Sequence, residues 1–221
     1  MARKKDNVES LDDSSNYNHK IMSMEEEKRN RLIQVAMQEF TKGYSLANTD
    51  EITRNAGISK GLLFHYFGSK KGLFLFLTRY AIQTVRREYL KVTFDSQDFL
   101  TNIWKVSLVA RQLSFQYPVL YRFLGKAAFS FTEVFPEGVP GDLSGGFEEM
   151  MRQIYQNADR SLFRSDIDVD KACNIVIWTV KGYSDTLLAY GSELDNYQAH
   201  YDEIEQELEE YLQILRRILY R

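Results

Sequence analysis

Apolar residues recur every three or four positions along most of the chain, which is the pattern of helices with one buried face. Between residues 24 and 41, for example, Leu32, Ile33, Ala36 and Phe40 keep this spacing, and three glutamates precede them where a helix dipole favours acids. No segment alternates apolar and polar residues as a half-buried strand does. The pattern predicts an all-α fold, with helices over residues 24–41, 49–56, 59–67, 69–91, 97–116, 118–131, 143–161, 168–190 and 196–220.

Small polar residues and glycines predict where the first helices begin and end. Thr49, Ser59 and Ser69 are of the type that caps a helix N-terminus, and Gly43 and Gly57 are of the type that follows a helix end. These signals, with the polar composition of the N-terminus, suggest a flexible arm over residues 1–22, a three-helix domain over 23–72 and a larger helical domain over 73–221.

Charge is unevenly distributed along the chain, although the net charge is only −3. Residues 53–91 hold eight basic residues and one acidic residue, whereas residues 192–221 hold eight acidic and three basic residues. A basic N-terminal part favours a nucleic-acid partner, and the contrast with the acidic end indicates two separate tasks. The N-terminus lacks an apolar signal core, and no run of apolar residues is long enough to span a membrane, so we expect a cytoplasmic protein without a membrane partner.

Two short predicted helices meet at Gly57, as in a helix-turn-helix. Ala56 is small enough for the two helices to approach closely, and Leu63 and Phe67 have the spacing of core residues. The outward positions of the second helix are then free to enter a DNA major groove; they are Ser59, Lys60, Gly61, Leu62, His65 and Tyr66.

Residues 49–74 closely resemble the DNA-binding region of the TetR/AcrR family of repressors, in particular through Gly57-Ile58-Ser59-Lys60-Gly61 and Phe64-His65-Tyr66-Phe67. The resemblance implies nine helices, a homodimer, and repression of a near-palindromic operator in double-stranded DNA that a small molecule relieves. It also implies that Thr49, Ser59 and Lys70 bind phosphates and that Lys60 and Gly61 lie closest to the bases. Leu62 and His65 are candidates for base-specific contacts, and Tyr66 is a candidate for a phosphate contact because Phe64 lacks a hydroxyl.

The C-terminal helices carry the expected dimer interface and ligand site. A stripe of apolar residues at the chain end could be simple core packing, but beside the apolar helix that precedes it the stripe favours half of an intermolecular four-helix bundle. Its residues are Tyr201, Ile204, Leu208, Tyr211 and Leu215. Most aromatic residues of this half should fill the core, but Trp104, Phe123, Phe129 and Trp178 are the candidates to line a pocket. Such a pocket suits an apolar or amphipathic ligand, including lipophilic cations.

Enzyme and metal functions have little support in the sequence. The three histidines are far apart, Cys173 has no catalytic partner nearby, and no ligand spacing for a metal or phosphate-binding glycine loop occurs, so we expect no cofactor. The alternative to a ligand-controlled repressor is an architectural or cell-division protein that binds DNA without a small-molecule inducer. A protein-interaction module that does not bind DNA is a more distant alternative.

Overall fold

The protein is helical throughout the part that the computed structural model describes, which comprises residues 21, 23–138, 140, 143, 146–190 and 200–221. These residues contain no β-strand, and Phe163 and Tyr220 form one isolated antiparallel bridge. The helices are α1 (Glu26–Phe40), α2 (Thr49–Ala56), α3 (Lys60–Phe67), α4 (Lys70–Tyr89), α5 (Phe99–Gln116), α6 (Pro118–Val134), α7 (Gly146–Gln156), α8 (Val169–Tyr190) and α9 (Tyr201–Leu219), with a short 3₁₀ turn at Arg160–Leu162. The predicted all-α class is confirmed.

Side-chain caps explain where several of these helices begin. Ser59 Oγ accepts a hydrogen bond from the Leu62 amide, and Ser69 Oγ accepts one from the Gly72 amide, as the sequence predicted. The cap of α2 is Asn48 rather than Thr49, because the Asn48 Oδ1 accepts the amide hydrogen of Asp50 at 2.8 Å and Thr49 is the first helical residue.

The described residues divide into two compact units, one that extends to Tyr80 and one from Ala81 to Arg221. The division therefore falls within α4, later than the boundary expected at residue 73. The predicted arm over residues 1–22 lies outside the described residues except for Ile21, which is buried.

The core of the first unit forms between α1 and the helices that follow it. The apolar stripe of α1 is buried, and aromatic rings extend this core into α4, where the Phe40 and Phe74 ring centroids are 5.4 Å apart. From α3, Phe67 contacts Phe76 at 5.1 Å between ring centroids. Burial of these apolar faces holds the two short helices, which are too short to be stable alone.

The core of the second unit joins α5, α7, α8 and α9. Its buried apolar side chains include Phe99, Ile103, Ile154, Val176 and Leu212. Burial of these apolar side chains accounts for the packing of this unit.

A polar network joins the end of α9 to the start of α5. Asp98 caps α5 by accepting from the Thr101 amide at 3.2 Å, and it also accepts from Arg216 Nη1 at 2.6 Å and Tyr220 Oη at 3.0 Å. Burial by itself would raise the pKa of Asp98, but these hydrogen bonds outweigh burial and hold the pKa below its ordinary value.

Candidate nucleic-acid interface

A tight turn sets the angle between α2 and α3. Gly57 has a φ of 71°, in the left-handed region, and its amide bonds to carbonyls of the last turn of α2. This conformation suits glycine because a Cβ is strained there. Ala56 is buried on the inner side of the turn, as its small size predicted.

The two faces of α3 differ in burial. Leu63 and Phe67 are each 1% exposed and belong to the core, as predicted. The opposite face is exposed through Ser59, Lys60, Gly61, Leu62 and His65, and Tyr66 is partly buried. Every position that the sequence assigned to the outward face is thus at least partly accessible, so α3 is the recognition-helix candidate.

Gly61 and Gly72, which lie near this face, differ in whether the fold has room for a side chain. A Cβ on Gly72, in the first turn of α4, would lie 2.0 Å from the Phe67 carbonyl oxygen, so the fold itself requires glycine there. A Cβ on Gly61 would meet no atom within 4 Å. The fold therefore has no steric need for Gly61, which lowers the stability of its helix. A glycine of this kind allows close approach of a partner to the backbone.

An ion pair links the first turn of α3 to the first turn of α2. Lys60 Nζ lies 2.8 Å from Asp50 Oδ1, and both side chains are more than half exposed. A pair this exposed contributes little to stability, so Lys60 can exchange Asp50 for a phosphate at small cost. The amides of the first helical turn lack intrahelical acceptors and add positive potential at the same end of α3.

Lys70 is the predicted phosphate-binding residue at the start of α4. Its Nζ lies 3.4 Å from the Ser45 carbonyl oxygen and 4.8 Å from the centroid of the Tyr44 ring. Lys70 thus packs on the loop between α1 and α2, and Thr49 lies at the other end of that loop. Buried Glu39 orders the same loop, because its carboxylate accepts from the Asn48 amide and from Lys42 Nζ.

Hydrogen bonds from α1 also hold the C-terminal end of α2 in place. Arg31 of α1 donates two hydrogen bonds to the Asn55 carbonyl oxygen, at 2.9 and 3.2 Å. The sequence pattern gave no indication of these contacts or of the Asp50 pair, because each joins residues that are distant in sequence or face outward on different helices.

The second unit contains a cavity of about 270 Å³, whose walls come from α4, α5, α7, α8 and α9. Apolar side chains predominate in its lining, including Ile103, Val106, Ile177 and Val180, with polar groups from residues such as Glu205. This volume is close to the lower end of the range for small-molecule sites.

The four aromatic residues predicted to line a pocket do not meet around this cavity. Phe123 is fully buried, whereas Phe129 and Trp178 are 56% and 67% exposed. Trp104 borders a separate open groove on the acidic face of α9, with Asp202, Glu205 and Glu209 among its neighbours. Residue size guided the prediction, but the direction of each side chain on its helix decides which residues surround the cavity.

The predicted dimer stripe of α9 is divided between the core and the surface. Tyr201 and Leu208 are buried within their own chain, Ile204 and Leu215 are partly buried, and Tyr211 is exposed. Five large apolar side chains on α8 and α9, two helices that contact each other, are exposed. We call them the apolar patch; they are Ile175, Trp178, Tyr211, Ile214 and Ile218. The rings of Tyr183 and Tyr211 are 5.6 Å apart between centroids and join these two helices.

Other chemistry-bearing residues in the described part of the chain do not assemble into a metal site. Cys173 is buried, and burial raises the pKa of its thiol to about 11, which keeps it protonated near neutral pH. None of the described helices combines the length and the hydropathy needed to cross a membrane.

A known family model matches the part of the chain that contains the recognition-helix candidate. Residues 32–77 match the family model described as bacterial regulatory proteins, tetR family, and this range includes all of α2 and α3. No curated protein sequence matches the chain at a significant level.

Solved structures share the fold over most of the chain. A TetR family transcriptional regulator from Chloroflexus aurantiacus is similar with a TM-score of 0.63 and 21% identity, and the match covers 92% of this chain and 98% of that one. CprB of Streptomyces coelicolor, in a complex with its operator sequence, is similar with a TM-score of 0.50 and 23% identity over 81% of this chain and 98% of CprB. Residues 32–77 therefore form a DNA-binding domain of the tetR family, and the chain has the fold of TetR-family transcriptional regulators.

Proposed function

We propose that this protein is a homodimeric transcriptional repressor that acts in the cytoplasm and leaves its operator when a small molecule binds the second unit. The exposed face of α3 carries this proposal. It combines a flexible cation at Lys60, a glycine at position 61 that the fold does not need, the side chain of Leu62 in the first turn of the helix and that of His65 in its last turn. These groups suit phosphate contact and base recognition in a major groove.

A second copy of the chain is the proposed occupant of the apolar patch. Its side chains lie on two helices that pack side by side, and Ile175, Trp178, Ile214 and Ile218 are each at least 44% exposed. Large apolar side chains grouped in this way mark interaction surfaces. Two copies that join through α8 and α9 would form a four-helix bundle. A two-fold dimer would present two recognition helices and read a near-palindromic operator.

The cavity supports ligand control over the alternative of an architectural protein. A solid core would favour the alternative, whereas this unit has an apolar space that a small molecule can fill. Tyr89, near the end of α4, lines the cavity, and the same helix begins at Lys70. A ligand that lowers operator affinity a hundredfold must prefer the weakly binding state by about 2.7 kcal/mol.

The test of this proposal is selection of DNA from a random pool by the purified full-length protein, followed by footprinting and binding titrations. We expect a near-palindromic sequence bound by a dimer. Lys60→Ala should weaken binding while thermal stability stays unchanged, and Lys105→Ala, which removes a partly exposed lysine of the second unit, is the control. Binding without sequence preference, or a monomer on an asymmetric site, would contradict the proposal.

The same selected operator separates the two DNA-binding alternatives. A repressor of the proposed kind should release it when a compound fills the cavity. If compounds that demonstrably bind the second unit leave operator affinity unchanged, the architectural alternative is favoured.

A further inference from the structure

Glu205 is a charged residue in the wall of an otherwise largely apolar cavity. It lies on α9, and its side chain is 15% exposed. Around it the cavity wall is mostly apolar, with Ile103, Val106, Ile177 and Val180 among its residues. A carboxylate in such surroundings needs partners for both of its oxygens.

Among the described residues, only one of the two carboxylate oxygens has a partner. Arg111 Nη1 pairs with Glu205 Oε2, while Arg111 Nη2 donates to Asp202 Oδ1 at 2.7 Å. Glu205 Oε1 is buried and accepts no hydrogen bond from any residue that the structure describes. An unsatisfied buried acceptor is unfavourable, and a donor brought by a ligand would remove this penalty.

We propose that the cavity selects a compact apolar molecule that carries one hydrogen-bond donor, a hydroxyl or an amine, and that this donor binds Glu205 Oε1. The inference rests on the proposed ligand control and specifies the class of ligand. A carboxylate head group is disfavoured, because it has no proton to donate near neutral pH and would place a second negative charge against Glu205. Arg111 already supplies the counter-charge for Glu205, so an uncharged alcohol suffices as the ligand.

Two other polar residues of the cavity wall bear on this choice. Tyr183 Oη already donates to the Ile204 carbonyl at 3.1 Å and lies 3.0 Å from Glu207 Oε2. Lys181 also lines the cavity and is the group to which an anionic ligand would bind. An anionic ligand would therefore bind Lys181, whereas a ligand with a hydrogen-bond donor would bind Glu205. A matched set of probes can distinguish the two.

The experiment measures binding of four probes with similar apolar bodies to the full-length protein by isothermal titration calorimetry: phenylbutanol, phenylbutylamine, phenylbutyrate and butylbenzene. We expect the alcohol and the amine to bind at least about tenfold more tightly than butylbenzene, and phenylbutyrate to bind most weakly, as a hydrogen bond to a charged acceptor implies. Equal affinities, tighter binding of phenylbutyrate, or no binding by any probe would overturn the inference.

The Glu205→Gln variant provides a sharper test. Arg111 should attract the amide oxygen of the new side chain, which leaves the NH₂ group where Oε1 was. An alcohol can accept a hydrogen bond from this NH₂ group, whereas a protonated amine has no acceptor. The amine should therefore lose about tenfold in affinity, and phenylbutyrate should gain because its carboxylate accepts. Asp202→Asn is the matched control, because it also removes a carboxylate partner of Arg111 but leaves Oε1 in place; it should keep the parent's order of affinities. An unchanged order in Glu205→Gln would contradict a role for this oxygen.

Operator binding is measured separately with the same proteins, which keeps the two proposals distinct. If the probes bind in the expected order but no operator sequence is selected, the repressor function fails and the ligand class stands. If an operator is bound and released but all probes bind equally, the repressor function stands and the ligand class fails.

Discussion

Replacement of Gly61 with alanine tests whether α3 is a DNA-contact surface, because it should change stability and DNA binding in opposite directions. Gly61 is exposed, and a Cβ there would have no neighbour within 4 Å. The added methyl group therefore costs the free protein nothing in packing. It does occupy the space that close contact between the helix backbone and DNA would need.

The expected magnitudes follow from these two effects. Alanine in place of glycine within a helix stabilises the protein by about 0.5–1 kcal/mol. For a chain of this length such a change raises Tm by about 1–4 °C. In the complex, the methyl group would be overpacked at a cost of about 1–3 kcal/mol, which is about a fivefold to 150-fold loss of operator affinity per half-site.

The assay combines thermal melting with fluorescence anisotropy on the selected operator. Gly72→Ala is the matched control, because its Cβ would lie 2.0 Å from the Phe67 carbonyl oxygen and the backbone must move. That variant should melt at a lower temperature than the parent. If Gly61→Ala melts higher and binds the operator as tightly as the parent does, the backbone of α3 does not approach DNA at this position and our reasoning is refuted.

Three further predictions concern other parts of the molecule. Asp50→Asn frees Lys60 from its ion pair and removes a negative charge from the DNA-facing surface, so affinity for non-operator DNA should rise, most clearly at low salt in anisotropy titrations. Trp178→Glu and Ile214→Glu place charges in the apolar patch and should produce monomers in light scattering. Asp98 has a lowered pKa in the folded state, so its stabilising contribution is fully present above the ordinary carboxyl pKa and is lost as the pH falls from there through the lowered pKa. The Tm difference between the parent and Asp98→Asn should therefore shrink in acid.

Controls for these predictions come from the same chain. Leu108→Glu changes an exposed apolar residue of α5 outside the apolar patch and should leave the oligomeric state unchanged. Leu208→Glu would instead place a charge in the core of its own chain and should unfold it, so it cannot report on pairing. Dimers that persist in both patch variants would refute the assignment of the patch. For Asp50→Asn, unchanged non-operator affinity would contradict the proposed restraint on Lys60, and a constant Tm difference for Asp98→Asn would contradict its titration.

Local features of the sequence were sufficient to predict the helix-turn-helix. Ser59 and Ser69 cap their helices through hydrogen bonds to amides three residues ahead, and Gly57 ends α2 through its own backbone conformation. Leu63 and Phe67 were placed in the core by helical spacing alone. The caps and the turn join residues within about one turn of one another, and the spacing of Leu63 and Phe67 puts them on one helix face, so the residue order specifies these features directly.

Only the tertiary structure shows the contacts between residues that are distant in sequence. The sequence showed a single apolar stripe on α9, but only the packing of α9 against α5 and α8 buries Leu208 and leaves Ile214 exposed. In the same way, Glu205 is one of eight acidic residues near the chain end, and its pairing with Arg111 depends on residues 94 positions apart. Periodicity determines that a helix has an apolar face, whereas the neighbouring helices determine which part of that face is covered, because burial depends on the arrangement of all the elements together.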